Sequence, residues 1–312
     1  MGVEERAGTG RELRRLLIAG PTASGKSAVA LSLAKRFGAV IVNADSMQVY
    51  SDLRVLTARP TADDERSAPH FLFGEIDGAI NFSAGRWARR VAGILSEIGD
   101  KPVILVGGSG LYFRALTEGL SAMPVVPQEV RDATRAEAEG RTTADLHAIL
   151  VARDRETAAR LRPSDRQRIL RALEVLSATG RPLASFHSAR EPPALAPGTW
   201  TGLFLAPERE ALYRQIDARF DSMLSDGALH EAAALARRRL DPTLPVMRAL
   251  GARPLIAHLE VNLSLNEAAL RAKLDTHQYA KRQFTWARHQ LAGFAWVAPE
   301  AAEEAGARAL GE

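Results

Sequence analysis

A chain of 312 residues with a formal net charge of +4 is long enough for one large domain or two modest ones, each with a real core. Apolar residues make up 46% and charged residues 25%, the balance of a soluble globular protein, and no stretch approaches 18 apolar residues, so no membrane partner is expected. The absence of cysteine excludes disulfides, thiolate metal sites and cysteine nucleophiles, and it fits a reducing, cytoplasmic setting.

The opening MGVEERAGTGRELRR is charged and has no apolar h-region, so no secretory signal is expected. Residues 14–19 (RRLLIA) are a short apolar run ending at Gly20, which suits a buried parallel strand. Residues 26–37 carry Val29, Leu31, Leu33, Ala34 and Phe37 at helical spacing and stop at Gly38. AVIVNAD then predicts a second strand ending in Asp45. An irregular segment, SMQVYSDLRVLTARP, precedes a helix over 83–99, a strand over 102–106, the turn Gly107-Gly108-Ser109-Gly110 and a helix from near Leu111.

Beyond this the pattern changes. Residues 122–198 hold helices, prolines and arginines without a convincing strand. Helices are expected over 129–138, 142–152 and 164–179, the last capped by Ser164 and ended by Gly180-Arg181-Pro182. WTGLFL reads as a strand rejoining the sheet, and 207–292 is again mostly helical. The expected architecture is α/β: a P-loop NTPase-like parallel sheet core over 1–121 and 199–312, with a mainly helical insertion at 122–198.

Gly20, Pro21, Thr22, Ala23, Ser24, Gly25, Lys26 and Ser27 fit G-x-x-x-x-G-K-S/T between a strand and a helix. In such a loop, converging backbone N–H groups and the helix N-terminus cradle phosphate, Lys26 reaches the terminal phosphate, and Ser27 ligates Mg²⁺. Nucleotide hydrolysis also needs an acid at the end of a later strand. KPVILVGGSG carries none and ends instead in another turn able to present N–H groups and a hydroxyl. The acid nearest the loop is Asp45, at the tip of what reads as the neighbouring strand. It could serve as a general base or as a cap for the following turn. Seven arginines against three acids at 153–171, with Arg237-Arg238-Arg239 and Lys281-Arg282, fit either solvated helix faces or a polyanionic partner.

GPTASGKS, NADSMQVY, TARP, VGGSGLYFRAL, DRQRILRALEV, MRALG and AKRQFTWAR occur in this order, and together they resemble the tRNA dimethylallyltransferase (tRNA isopentenyltransferase) family over roughly 16–292. The resemblance implies transfer of a dimethylallyl group from dimethylallyl diphosphate to N6 of the adenine 3′ of the anticodon, in tRNAs reading codons that begin with U. It assigns the loop at 20–27 to the donor's diphosphate, with Mg²⁺ as cofactor on Ser27. Asp45, Lys26, Ser109 and Arg219 become the catalytic group, Asp45 accepting the N6 proton and Arg219 lying on the diphosphate. Ser46, Met47 and Gln48 would line the flipped base beside Ser109. The anticodon stem-loop would be contacted by Arg131, by Gln167, Arg168, Ile169, Leu170 and Arg171, by Arg248, Gly251 and Arg253, and by His277, Gln278, Lys281 and Arg282. The insertion would grip tRNA, and a monomer is expected because one chain already carries both parts of an RNA clamp. Three segments depart from the family pattern: Leu56-Thr57-Ala58-Arg59-Pro60 for GTAKP, Gly251-Ala252-Arg253-Pro254 for GYRQ, and Thr276-His277-Gln278 for TRQ. Two other classes fit parts of the chain. A P-loop small-molecule kinase would bind ATP and requires the missing acid, whereas a nucleic-acid binder with a degenerate loop would not need Lys26, Ser27 and Asp45 intact.

Overall fold

The computed structural model describes residues 15–186 and 190–311; residues 1–14 of the N-terminal stretch read above for a signal lie outside them. The first strand, β1 (Arg15–Ala19), leads through the phosphate-loop motif into α1 (Lys26–Phe37), which ends at Gly38 in the left-handed region. β2 (Val40–Asn43), α2 (Ala62–Ser67), the two-residue β3 (His70–Phe71), α3 (Ala84–Ile98), β4 (Val103–Gly107) and α4 (Gly110–Thr117) follow. Then come four helices: α5 (Gln128–Ala138), α6 (Thr143–Arg153), α7 (Arg155–Arg160) and α8 (Arg166–Thr179). The chain continues with β5 (Thr201–Leu205), α9 (Arg209–Ser225), α10 (Ala228–Arg237), α11 (Ala252–Leu259), the 26-residue α12 (Leu265–Gln290), β6 (Phe294–Val297) and α13 (Ala302–Leu310).

All six strands are parallel, in the order β3-β2-β4-β1-β5-β6. This corrects one expectation. Asp45 follows β2, but β4 lies between β2 and β1, so the strands flanking β1 are β4, which ends in Gly107, and β5. Because successive side chains alternate across a strand, Leu17, Val42 and Leu105 feed one face and Leu16, Ile18, Ile41 and Ile104 the other. The second face is closed by Ala30 and Leu33 of α1 and Ala307 and Leu310 of α13. The first receives Trp87, Val91 and Ile94 of α3, Phe113 of α4 and small residues of α12, chiefly Ala268, Ala272 and Ala287. Each fully buried Leu or Ile contributes roughly 1.5–3 kcal/mol.

The chain divides into two compact units, one running up to Glu118 and resuming at Ala194, the other Gly119–Pro193. Leu195 belongs to the core unit, being wholly buried with its N–H donated to the Leu116 carbonyl at 2.9 Å. The second unit packs α5, α6, α7 and α8 around Leu146, Leu150, Ile169 and Leu173. The cap of α8 is Asp165 rather than Ser164: its carboxylate accepts the Arg168 N–H at 3.1 Å, three residues on, where a cap side chain reaches. Strands β3 and β6 and helices α2 and α7 are too short for periodicity to reveal. Among the described residues no helix is long and apolar enough to cross a membrane.

Candidate active site

The loop after β1 bends through left-handed backbone at Ala23 (φ 62°) and Gly25 (φ 83°). An alanine held there costs about 1–2 kcal/mol, so the surrounding structure imposes that geometry on the loop. Lys26 begins α1 and folds its ammonium back over the loop to donate to the Pro21 carbonyl at 3.1 Å. Burial lowers its pKa to about 8, Asp45 opposes that shift, and Arg219 adds to it. Ser27, the second residue of α1, is exposed at the loop.

Asp45 is fixed from both sides. The wholly buried Asn43 side chain accepts the Asp45 N–H at 2.7 Å and donates to the carbonyls of Asp45 and Leu72, each at 2.9 Å. Asp45 Oδ1 in turn accepts the Met47 N–H at 2.9 Å and the Gln48 N–H at 3.4 Å. The two readings of Asp45 are therefore compatible: one oxygen caps the turn, and no hydrogen bond from the described residues holds Oδ2. Ser109 Oγ accepts the Ser46 N–H at 2.9 Å and donates to Ser46 Oγ at 3.1 Å, tying the turn after β4 to the one after β2. Gly107 lets them approach, since a Cβ there would stand 2.0 Å from the Ala44 carbonyl carbon.

These loops open on a cavity of about 250 Å³. Its polar lining includes Thr22, Asp45, Ser46, Thr57, Arg219, Arg248, Thr276, Tyr279 and Arg282, and its apolar lining Met47, Leu56, Ile216, Phe220, Met223 and Leu250. Burial lowers the Arg219 pKa against the pull of Asp45; these two charges line the recess, and the Lys26 charge is coupled to both. A carboxylate, three arginines and an apolar wall suit a ligand with an anionic end and a hydrocarbon end.

Sequence reasoning missed three residues on α12. Tyr279 and Thr276 line the cavity, and the Tyr279 phenol is pushed well above its ordinary pKa by burial and, second, by Asp45. Gln283 is buried, accepts the Thr22 N–H and donates to the Gly108 carbonyl, both at 3.0 Å, and so bridges the two phosphate-side loops. The signal was present in AKRQFTWAR, where Gln283 falls between Ala280 and Ala287 on the buried face of α12.

The remaining expected residues fall into distinct settings. Gln48 spends its amide on the carbonyls of Thr57 (2.8 Å) and Ala58 (3.1 Å), so it holds the TARP segment. Arg248 reaches the cavity, whereas Arg253 and Gln278 line a separate groove with Arg271 and Leu274. Lys281 and Arg282 are exposed on α12. His277, at a departure from the family pattern, pairs with Asp217 at 2.9 Å and stacks on Tyr213 at 4.2 Å. Pro254 lies in the first turn of α11, where its missing N–H is harmless. In the other unit, Gln167 and Arg168 are exposed, the Arg168 side chain by 74%. Arg171 lies 3.7 Å from buried Glu174, and Arg131 is half-buried near it. Two expectations of direct RNA contact are corrected. Ile169 is 0% exposed within its unit's core, and Gly251 is buried at φ 83° ahead of α11, so each shapes the fold. Leu170, half-buried, packs against the same core as Ile169. Arg238, although exposed, is engaged by carboxylates of its own chain, Asp52 and, at 2.8 Å, Asp77.

Comparison with known proteins places these features in company. The profile of the IPP transferase family matches residues 48–290. The tRNA dimethylallyltransferase of Methylorubrum populi is 57% identical over 302 residues, covering 95% of each chain. Among solved structures, the full-length tRNA isopentenylpyrophosphate transferase of Bacillus halodurans superposes with a TM-score of 0.67 at 29% identity, over 96% of this chain and 97% of that one. A eukaryotic dimethylallyltransferase captured acting on tRNA shares the fold, with a TM-score of 0.73 at 24% identity over 92% of this chain and 74% of its own.

Proposed function

This chain belongs to the IPP transferase family, and we propose that it transfers a dimethylallyl group from dimethylallyl diphosphate to tRNA, at N6 of the adenine just 3′ of the anticodon, in tRNAs reading codons that begin with U. The observation that carries this reading is the recess joining Asp45 and Arg219 to an apolar wall, with the Lys26 charge felt by both, beside a strand, β4, that runs into Gly107-Gly108-Ser109 without an acid. A kinase of this fold class places a metal-binding acid there.

An exocyclic adenine nitrogen is a weak nucleophile because its lone pair is delocalised into the ring. As the N6–C1 bond forms, the C1–oxygen bond to diphosphate breaks and the N6 proton passes to Asp45 Oδ2. The Asp45 backbone and Oδ1 are already fixed by Asn43, Met47 and Gln48, so the base needs little reorganisation. Lys26, Arg219 and the loop's N–H groups receive the charge growing on the leaving diphosphate. Reaching N6 requires the base to leave the anticodon stack, and Ser46, Met47, Thr57 and Arg248 line the recess it would enter.

Mg²⁺ fits the hard oxygen donors present. Among the described residues no cluster of three or more acids or histidines could hold a metal alone. Ser27 would therefore ligate it together with the donor's own phosphate oxygens, where it would neutralise leaving-group charge. The exposed Gln167 and Arg168, with Lys281 and Arg282, serve as phosphate contacts along the tRNA, the helical unit acting as a grip. The enzyme would work in the cytoplasm as a monomer. The test is incubation with Mg²⁺, unmodified tRNA and labelled dimethylallyl diphosphate beside a labelled-ATP control. Label entering tRNA from the prenyl donor alone is the expected result; phosphoryl transfer from ATP would overturn the reading.

A further inference from the structure

The apolar wall of the cavity includes Leu56, in an irregular loop that forms no helix or strand. Loops of this kind ordinarily move, yet this one is gripped. The carboxylate of Glu231, on α10, accepts three successive backbone N–H groups: Oε1 takes those of Arg54 and, at 2.9 Å, Val55, while Oε2 takes that of Leu56 at 2.7 Å. One residue beyond the end of the same helix, Arg238 holds Asp52, whose carboxylate also accepts the Gly78 N–H at 2.8 Å. From the opposite direction Gln48 holds the carbonyls of Thr57 and Ala58. Beneath the wall is Gly251, where a Cβ would stand 2.9 Å from the Phe220 ring and 3.2 Å from Leu56 Cδ2. The loop is thus held by Glu231, Arg238 and Gln48, over a floor where Gly251 lies close to Phe220 and Leu56.

We propose that Glu231 is a positioning residue for substrate specificity: by clamping the N–H groups of residues 54–56, it fixes Leu56 in the cavity wall so that the recess accepts a five-carbon prenyl group and refuses a longer one. This rests on the prenyl-transfer reading above. A bidentate, charge-assisted grip on consecutive N–H groups is stronger and more directional than neutral turn hydrogen bonds. No other side chain among the described residues grips these three N–H groups. The proposal also explains Arg238, which the sequence leaves open between a solvated helix face and a polyanion contact and which holds the loop at a second point.

The experiment measures tRNA prenylation with dimethylallyl diphosphate and with the ten-carbon geranyl diphosphate, for wild type, Glu231→Gln and Glu231→Ala. Hydrogen exchange at residues 54–56 is followed in parallel. In Glu231→Ala the Val55 and Leu56 amides should exchange at least tenfold faster. KM for dimethylallyl diphosphate should rise about five- to tenfold with kcat within twofold, and the five- over ten-carbon preference should fall at least fivefold. Glu231→Gln, keeping one acceptor oxygen, should lie between. Leu310→Ala, on the other face of the sheet, lowers Tm and should leave the preference unchanged. An unchanged preference in Glu231→Ala, or unchanged amide exchange, overturns the proposal while wild-type transfer stands. Absence of transfer by wild type overturns the prenyl-transfer reading itself, and this proposal with it.

Discussion

Arg219 of the core unit and Arg168 of the helical unit sit in opposite settings. In the core unit Arg219 is desolvated and coupled to Asp45 and to a lysine whose pKa burial lowers to about 8. In the helical unit Arg168 stands 74% exposed, and Arg171 leans on a buried glutamate. Coulombic effects are large where water is excluded and small where it is not. The recess of the first unit therefore relies on a few decisive charges, whereas the exposed cations of either unit, Lys281 and Arg282 as much as Arg168, act as modest ones.

That contrast is broken most severely at Asp45. Asp45→Ala should lower the transfer rate by at least about 10³-fold while leaving tRNA affinity within a few-fold, read by single-turnover prenylation and filter binding. Normal transfer by that variant would remove the base assignment. Arg219→Ala should lower kcat/KM for the prenyl donor by about 10²-fold, with KM for tRNA nearly unchanged. If KM for tRNA rose instead, Arg219 would belong with the surface arginines.

Lys26 sharpens the comparison through pH. With its pKa lowered to about 8 in the free protein, kcat/KM for the donor should decline as pH rises through that value, and Lys26→Arg should shift the decline upward. The sign for stability is opposite. Between about 8 and the ordinary 10.5 the unfolded chain binds more protons at this lysine than the folded one, so the burial cost is relieved and stability rises across that window. Denaturant unfolding of wild type against Lys26→Met at both ends of the range measures the difference. Smallest is the effect at the surface: Arg168→Ala should raise KM for tRNA only a few-fold, leave kcat unchanged, and reduce the slope of log affinity against log salt by about one.

The legibility of these two units in the sequence also differs. The phosphate loop was readable because its chemistry depends on local spacing: glycines, lysine and serine within eight residues, between an apolar run and an amphipathic helix. The caps of α2 and α6, Thr61 with Asp64 and Thr142 with Asp145, are equally local. Asp165 was missed as a cap because Ser164 beside it has the same competence, and only the register of α8 chooses between them. Ile169 was misplaced for a related reason. An RNA-contacting motif on an amphipathic helix contains inward as well as outward residues, and the motif does not mark which is which.

Gln283, Tyr279 and Glu231 were beyond local reading. Gln283 meets Thr22 across 261 positions and Gly108 across 175, and Glu231 meets Leu56 across 175. A glutamine or glutamate on a helix carries no sign of its partner until the sheet order brings the loops together. By itself the sequence determined the phosphate cradle, the alternation of strands and helices, the helical character of the insertion and the family. Tertiary structure decided that β4 lies between β1 and β2, that Asp45 shares a recess with Arg219 within the electrostatic reach of Lys26, and that α10 and α12 hold the walls. The physical reason is range: capping, turns and helical periodicity act within a few residues, whereas desolvation and the fixing of a cavity wall depend on groups that meet only after the chain has folded.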